Sequence, residues 1–266
     1  MKNQRVDTVE KFYYPVYIFE KITKISFWIS FVLSFAILFQ KIFPANLHNV
    51  IIISYLLLVI TQITLSFVVD YLLLPRAERE RRKQFLTDSL NVPLTTEVTK
   101  NYYNNIFKPS IIRLGANTFE NSLFSKEISK DMLNNERIKV LVYILVWLTF
   151  LIIRKTDLQV IVIISQTLFS SELLFNWLRL EIFHKNVETI YDNLYYLFLS
   201  IIKDDYEELQ SFIIKELLAY ESTKSLTRVK LSSKIFKKKN ASLIQEWKSI
   251  REKLQMDIRE NTSWGR

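Results

Sequence analysis

The stretch VIIISYLLLVITQITLSFVV, residues 50–69, carries no charged side chain, and its reading decides the fold. A helix needs about 20 mostly apolar residues to cross the hydrocarbon core, because lipid offers backbone N–H and C=O groups no partner. The apolar run extends from His48 to about Leu74. Upstream, Ile25 to about Phe43 forms another span, with Lys24 and Lys41 at its ends able to reach the interface. Downstream lie two weaker segments. Val140–Ile153 is short and bounded by Lys139 and Arg154, while Leu158–Leu178 reaches spanning length only by including Glu172. Two such neighbours can insert as a helical hairpin turning at Arg154–Asp157. The expected fold is therefore all-α: a polytopic membrane protein with four transmembrane helices, a helical cytoplasmic insertion and a long C-terminal cytoplasmic helical region. The expected boundaries are 1–24 for the N-terminal segment, 25–74 and 140–178 for the hairpins, 75–139 for the insertion and 179–266 for the basic tail.

Composition agrees. The 266 residues are 49% hydrophobic yet 24% charged, so the two kinds must be segregated along the chain. Cysteine is absent, which excludes disulfides and thiolate metal sites. His48 and His184 are the only histidines and Gly115 and Gly265 the only glycines, so neither a His-rich metal centre nor a Gly-rich phosphate loop is expected. No nucleophile–base set assembles from these residues, and the expectation is a protein that is not an enzyme, without cofactor or metal. Met1–Lys24 does not read as a cleavable signal peptide. Lys and Arg number 5 in residues 1–24, 12 in 75–139 and 16 in 179–266, against 1 and 2 in the hairpins. The positive-inside rule then places both termini and the insertion in the cytoplasm of a cell bounded by a bacterial-type inner membrane.

In the insertion, the charge-laced stretch Pro75–Lys83 is followed by turn-forming Asn91-Val-Pro93, and Ile112, Phe119, Leu123, Ile128 and Met132 recur at helical spacing over Ser110–Glu136. One or two amphipathic helices are expected there. In the tail, Ile190, Leu194, Leu197, Ile201, Leu209, Phe212, Ile213 and Leu217 suggest that the fourth span continues as one long helix through Tyr220. Leu243, Trp247, Ile250, Leu254 and Ile258 form a second stripe, suited to a helix that packs or oligomerises.

Polar residues inside spans usually face protein or water. Gln62, Ser66 and Asp70 share one face of the second span, and Ser165, Glu172 and Asn176 share one face of the fourth with Arg179. These are candidate pore-lining residues; interhelical hydrogen bonding suits them equally. Ser26, Ser30 and Ser34 share a face of the first span, where small residues favour close helix packing. Between Ser222 and Gln245 lie Lys224, Arg228, Lys230, Lys234, Lys237, Lys238 and Lys239 with no acidic residue, a segment for anionic lipid or for phosphates. Lys100, Tyr102, Tyr103, Asn104, Asn105, Lys108 and Arg113 combine rings, amides and cations, the groups that bind a nucleotide, although tyrosines at an interface and asparagines in turns account for them too.

The layout, with PRAERERRK, NYYNN and NTFENSLFSKEIS in the insertion, resembles the four-transmembrane pore-forming effectors of bacterial anti-phage nucleotide-signalling systems, the Hailong-type membrane effectors. The resemblance covers nearly the whole chain and carries over no individual residue. It implies a homo-oligomeric channel-like assembly, with a tetramer as the expected order, and a nucleotide or short oligonucleotide ligand. It further implies a nucleotidyltransferase encoded nearby and membrane disruption that stops phage spread.

Overall fold

The computed structural model describes residues 6–38, 43–100, 102–104, 107–152, 174–200 and 206–256. Its helices are α1 (Tyr14–Leu38), α2 (Ala45–Val68), α3 (Leu74–Leu90), α4 (Ile111–Ile152), α5 (Asn176–Ser200), α6 (Tyr206–Thr227) and α7 (Ser233–Lys253). A two-residue strand β1 (Val6–Asp7) pairs antiparallel with β2 (Thr99–Lys100), Val6 opposite Lys100 and Asp7 opposite Thr99. The all-α class expected from the sequence is therefore observed, with this small strand pair added. Of the helical stretches described, one is long and apolar enough to cross a membrane: Ala45–Leu90, 46 residues, in which a π turn at Val69–Leu73 joins α2 to α3.

Contacts divide the chain into two compact units. The first comprises Met1–Val9, Arg79–Asn135 and Leu178–Arg266, which brings most of the insertion and the basic tail into one unit. The second comprises Glu10–Glu78 and Glu136–Trp177.

The first unit closes around aromatic rings. Phe119 stacks on Phe198 at 5.7 Å between centroids and meets Trp247 edge-on at 5.2 Å. Around them Phe85, Leu123, Phe183, Val187, Leu194 and Ile213 are buried in the same cluster. The stripe on α7 is thus consumed at home: Leu243, Trp247, Ile250 and Leu254 are all buried, and Ile258 lies outside the described residues. Ser232 starts that helix, its hydroxyl accepting from the Ile235 N–H at 3.4 Å. The Asn91 turn is as read from the sequence. Asn91 follows α3 with φ 57°, the left-handed conformation that Asn tolerates after a helix, and its N–H reaches Thr87 O at 2.9 Å.

One expectation needs correction. A single helix through Tyr220 is not formed, because the Asn193 amide donates to Glu216 Oε1 at 3.1 Å. Those residues are 23 apart in sequence and would stand about 35 Å apart on one straight helix. The chain instead folds back so that α5 and α6 bury their apolar faces against the same core. The expected third span forms the C-terminal part of a longer helix. Helix α4 runs unbroken for 42 residues, since nothing after Gly115 within it breaks helical backbone geometry. What changes along it is the surface: Ile112, Phe119, Leu123 and Leu133 are buried, whereas Ile138, Leu141, Val142, Leu145 and Ile152 are exposed.

Gly115 lies where α4 meets α6. A Cβ there would stand 2.8 Å from Ile213 Cδ1 and 3.0 Å from its Cγ1, so the two helices approach closely because this position lacks a side chain. Gly115→Leu is expected to overpack this contact and cost about 3 kcal/mol, read as a lowered Tm of the purified chain. Gly115→Ala is expected to be far milder, because better helix propensity offsets part of the clash.

In the second unit α1 pairs with α2. Ser26, Ser30 and Ser34 are 6–8% exposed, which places the small-residue face of α1 in the helix contact as its spacing predicts. Helix α1 begins at Tyr14, well before the expected span start at Ile25, and Val16 packs with Val69 and Leu74 at the π turn.

Candidate functional site

The polar stripe on α2 begins at a helix contact. Gln62 Nε2 donates to Ser30 Oγ at 2.6 Å, and the Ser30 hydroxyl donates in turn to Ser26 O at 2.9 Å. This chain of bonds satisfies a costly amide within the α1–α2 pair and is worth about 0.6–2 kcal/mol in a lipid setting. Gln62 therefore serves the interhelical role that the sequence left open beside pore lining. Ser66, one turn on, is half-buried. Asp70 is half-buried inside the π turn, where the extra residue per turn shifts the register of the side chains that follow. Around this stripe the helix surface is apolar: Val50, Ile53, Leu56, Leu57, Ile60, Ile63, Phe67 and Leu72 are all exposed. Ser165 and Glu172 lie outside the described residues, and Asn176 is exposed at the first residue of α5. The structure thus describes one of the two expected stripes and only the end of the other.

The ring-and-amide cluster after β2 is engaged internally. The Asn104 backbone N–H donates to Glu120 Oε2 at 3.0 Å, its side-chain amide donates to Glu120 Oε1 at 2.6 Å, and Arg251 Nη1 donates to its carbonyl oxygen. Arg113 donates to Asp88 Oδ2 at 2.8 Å and to Phe107 O at 2.9 Å. Tyr103 packs edge-on against Phe85, accepts weakly from Asn121 at 3.4 Å, and is held by burial well above the ordinary phenol range, so it stays neutral. Tyr102 lies under the Arg81 guanidinium at 5.0 Å, and Arg81 forks onto Asp7 at 3.0 and 2.9 Å. Lys100 contributes backbone to β2, Lys108 is exposed, and Asn105 lies outside the described residues. Of the expected ligand groups here, Asn104 and Arg113 are engaged by bonds within the fold. Glu120 and Asp88, which hold them, follow no periodicity that would have marked them in the sequence.

The basic tail separates into two sets. Lys224 pairs with Glu221 at 3.3 Å, and Lys239 pairs with both Glu127 and Asp131 at 3.2 Å, which raises its pKa in spite of partial burial. Arg228, with φ 52°, and Lys230 are half-buried in the turn between α6 and α7. Lys234, Lys237 and Lys238 are exposed on the first turns of α7 and make no ion pair among the described residues. Three ammonium groups at the positive end of a helix dipole repel one another and that end, so the arrangement favours an external anion. Lys234→Glu, Lys237→Glu and Lys238→Glu combined are expected to lower markedly the salt concentration at which the chain leaves a heparin column. Lys224→Ala, already neutralised in the fold, is expected to shift it little.

Comparison with known protein families, with curated proteins and with solved structures finds no match. Among the described residues no group of His, Asp and Glu could hold a metal ion.

Proposed function

We propose that the chain is a ligand-gated, channel-like pore of a bacterial inner membrane. In this reading it crosses four times with both termini cytoplasmic and assembles as a homo-oligomer, a tetramer being the expected order. It acts as the membrane-disrupting effector of an anti-phage defence, controlled by a nucleotide or oligonucleotide from a nucleotidyltransferase encoded nearby. The observation that carries this reading is α2: a helix of spanning length whose exposed surface is apolar nearly all round. Water does not tolerate such a surface, whereas lipid and neighbouring copies do.

Asp70 and Glu172 are the carboxylates assigned to the pathway, with Ser66, Ser165 and Asn176 as polar lining. Gln62 is less suited, because Ser30 already engages its amide. A nucleotide signal is assigned to the exposed lysines Lys234, Lys237 and Lys238 more readily than to Asn104 or Arg113, which the fold holds. Acidic lining favours cations. In a reconstituted bilayer, current that responds to candidate nucleotides is expected, and Asp70→Asn with Glu172→Gln is expected to lower it several-fold. Absence of current and of depolarisation under every ligand condition would sink the proposal.

A second reading, a non-conducting membrane scaffold or transporter accessory that docks a cytoplasmic partner, is favoured by the Gln62–Ser30 bond, which gives the polar stripe a structural role. On that reading the same two substitutions change assembly and leave no current to alter.

A further inference from the structure

Helices α5 and α6 bound a groove of about 830 Å³, in the size range of small-molecule sites. Its chemistry departs from that of a chain with net charge +9. Among its lining residues is Glu216, 2% exposed, whose Oε1 accepts from the Asn193 amide at 3.1 Å and stands 3.7 Å from the Lys215 ammonium. The lysine side chain is 70% exposed, so it screens the carboxylate loosely. Oε2 has no donor among the described residues. A carboxylate largely removed from water is costly unless charge and hydrogen bonds compensate it, and here the amide and the exposed ammonium both engage Oε1, while Oε2 keeps contact with solvent in the groove. Beside it the walls offer the apolar surfaces of Ile190, Ala219 and Leu226 and the hydroxyl of Ser222.

We propose that this groove binds a small organic cation, an alkylamine in its ammonium form. The N–H groups engage Glu216 Oε2 and the short apolar stem lies along Ile190 and Ala219. An anion is rejected, since it would approach a buried carboxylate. The groove therefore does not serve the phosphate chemistry assigned to the exposed lysines. The site involves α5 and α6 only and stands independently of the pore reading.

The probe is n-butylammonium chloride, titrated into the purified full chain in nanodiscs and followed by saturation-transfer NMR, with n-butanol and sodium butyrate as neutral and anionic counterparts. Butylammonium is expected to bind and butyrate not to. Glu216→Gln, with the helical circular-dichroism signal retained, is expected to weaken binding about ten-fold or more, the magnitude of a lost charge-assisted hydrogen bond. Lys215→Ala removes the competing ammonium from an exposed position and is expected to tighten binding by about three-fold. If Glu216→Gln fails to fold, the Lys215→Ala result decides alone. Equal binding of butanol and butylammonium, or a Lys215→Ala variant that binds no tighter, would overturn the assignment.

Discussion

Trp247→Ala is expected to lower the stability of the first unit by about 3–5 kcal/mol, most of what a unit at the lower end of the usual range of about 5–15 kcal/mol possesses. The indole is fully buried and meets Phe119 edge-on, and Phe119 in turn stacks on Phe198, so truncation opens a void where α4, α5 and α7 converge. Collapse around that void is limited, because rigid rings line it. Trp247→Phe separates the packing from the polar group. The Nε1–H finds no acceptor among the described residues, so phenylalanine removes a buried, unsatisfied donor while keeping a ring. Its cost is expected to stay below about 1.5 kcal/mol. Near-UV circular dichroism against temperature checks both variants, and equal losses would mean that the packing depends on the full indole outline and that a smaller ring does not restore it.

Ile60→Arg is expected to exclude α2 from the membrane, at an insertion cost on the order of 2.5–3.5 kcal/mol near the centre of a span. Ile60 is 60% exposed near the middle of the uncharged stretch, and that exposure gives the experiment its force. At a water-facing site an Ile→Arg change at such exposure costs little and improves solubility. At a lipid-facing site it desolvates a guanidinium. Because the chain has no cysteine, a single cysteine introduced at Asn46, before the uncharged run, reads the difference by its labelling with a membrane-impermeant maleimide, with Leu57→Ala, also exposed, as a substitution that keeps the helix apolar. If that cysteine were labelled equally in Ile60→Arg and in the parent chain, lipid exposure of this face would be refuted.

Elements governed by local rules were legible from the sequence. The uncharged run of α2, the serine face of α1, the Asn91 turn and the buried stripe Leu243–Trp247–Ile250–Leu254 all follow from side-chain spacing and backbone preference over a few residues. The continuity of α4 was less legible, because the change from mostly buried to mostly exposed apolar residues after Leu133 resembles a boundary although the backbone does not break. The candidate ligand residues were the least legible. Asn104 and Arg113 have the composition of a binding surface, and only the positions of Glu120, sixteen residues on, and Asp88, twenty-five residues back, turn them inward.

By itself, then, the amino-acid order determined which segments are helical, which of those faces avoid water and where the positive charge accumulates, since periodicity and transfer free energy act residue by residue. The tertiary structure alone decided which charges are already neutralised and which remain outward. Lys239 is held by Glu127 and Asp131 more than a hundred residues away, Gln62 meets Ser30 across a helix contact, and α6 turns back so that Glu216 lies buried beside Asn193. Those pairings depend on long-range chain return, which no local pattern encodes, and they separate the residues that hold the fold from those left to meet a ligand.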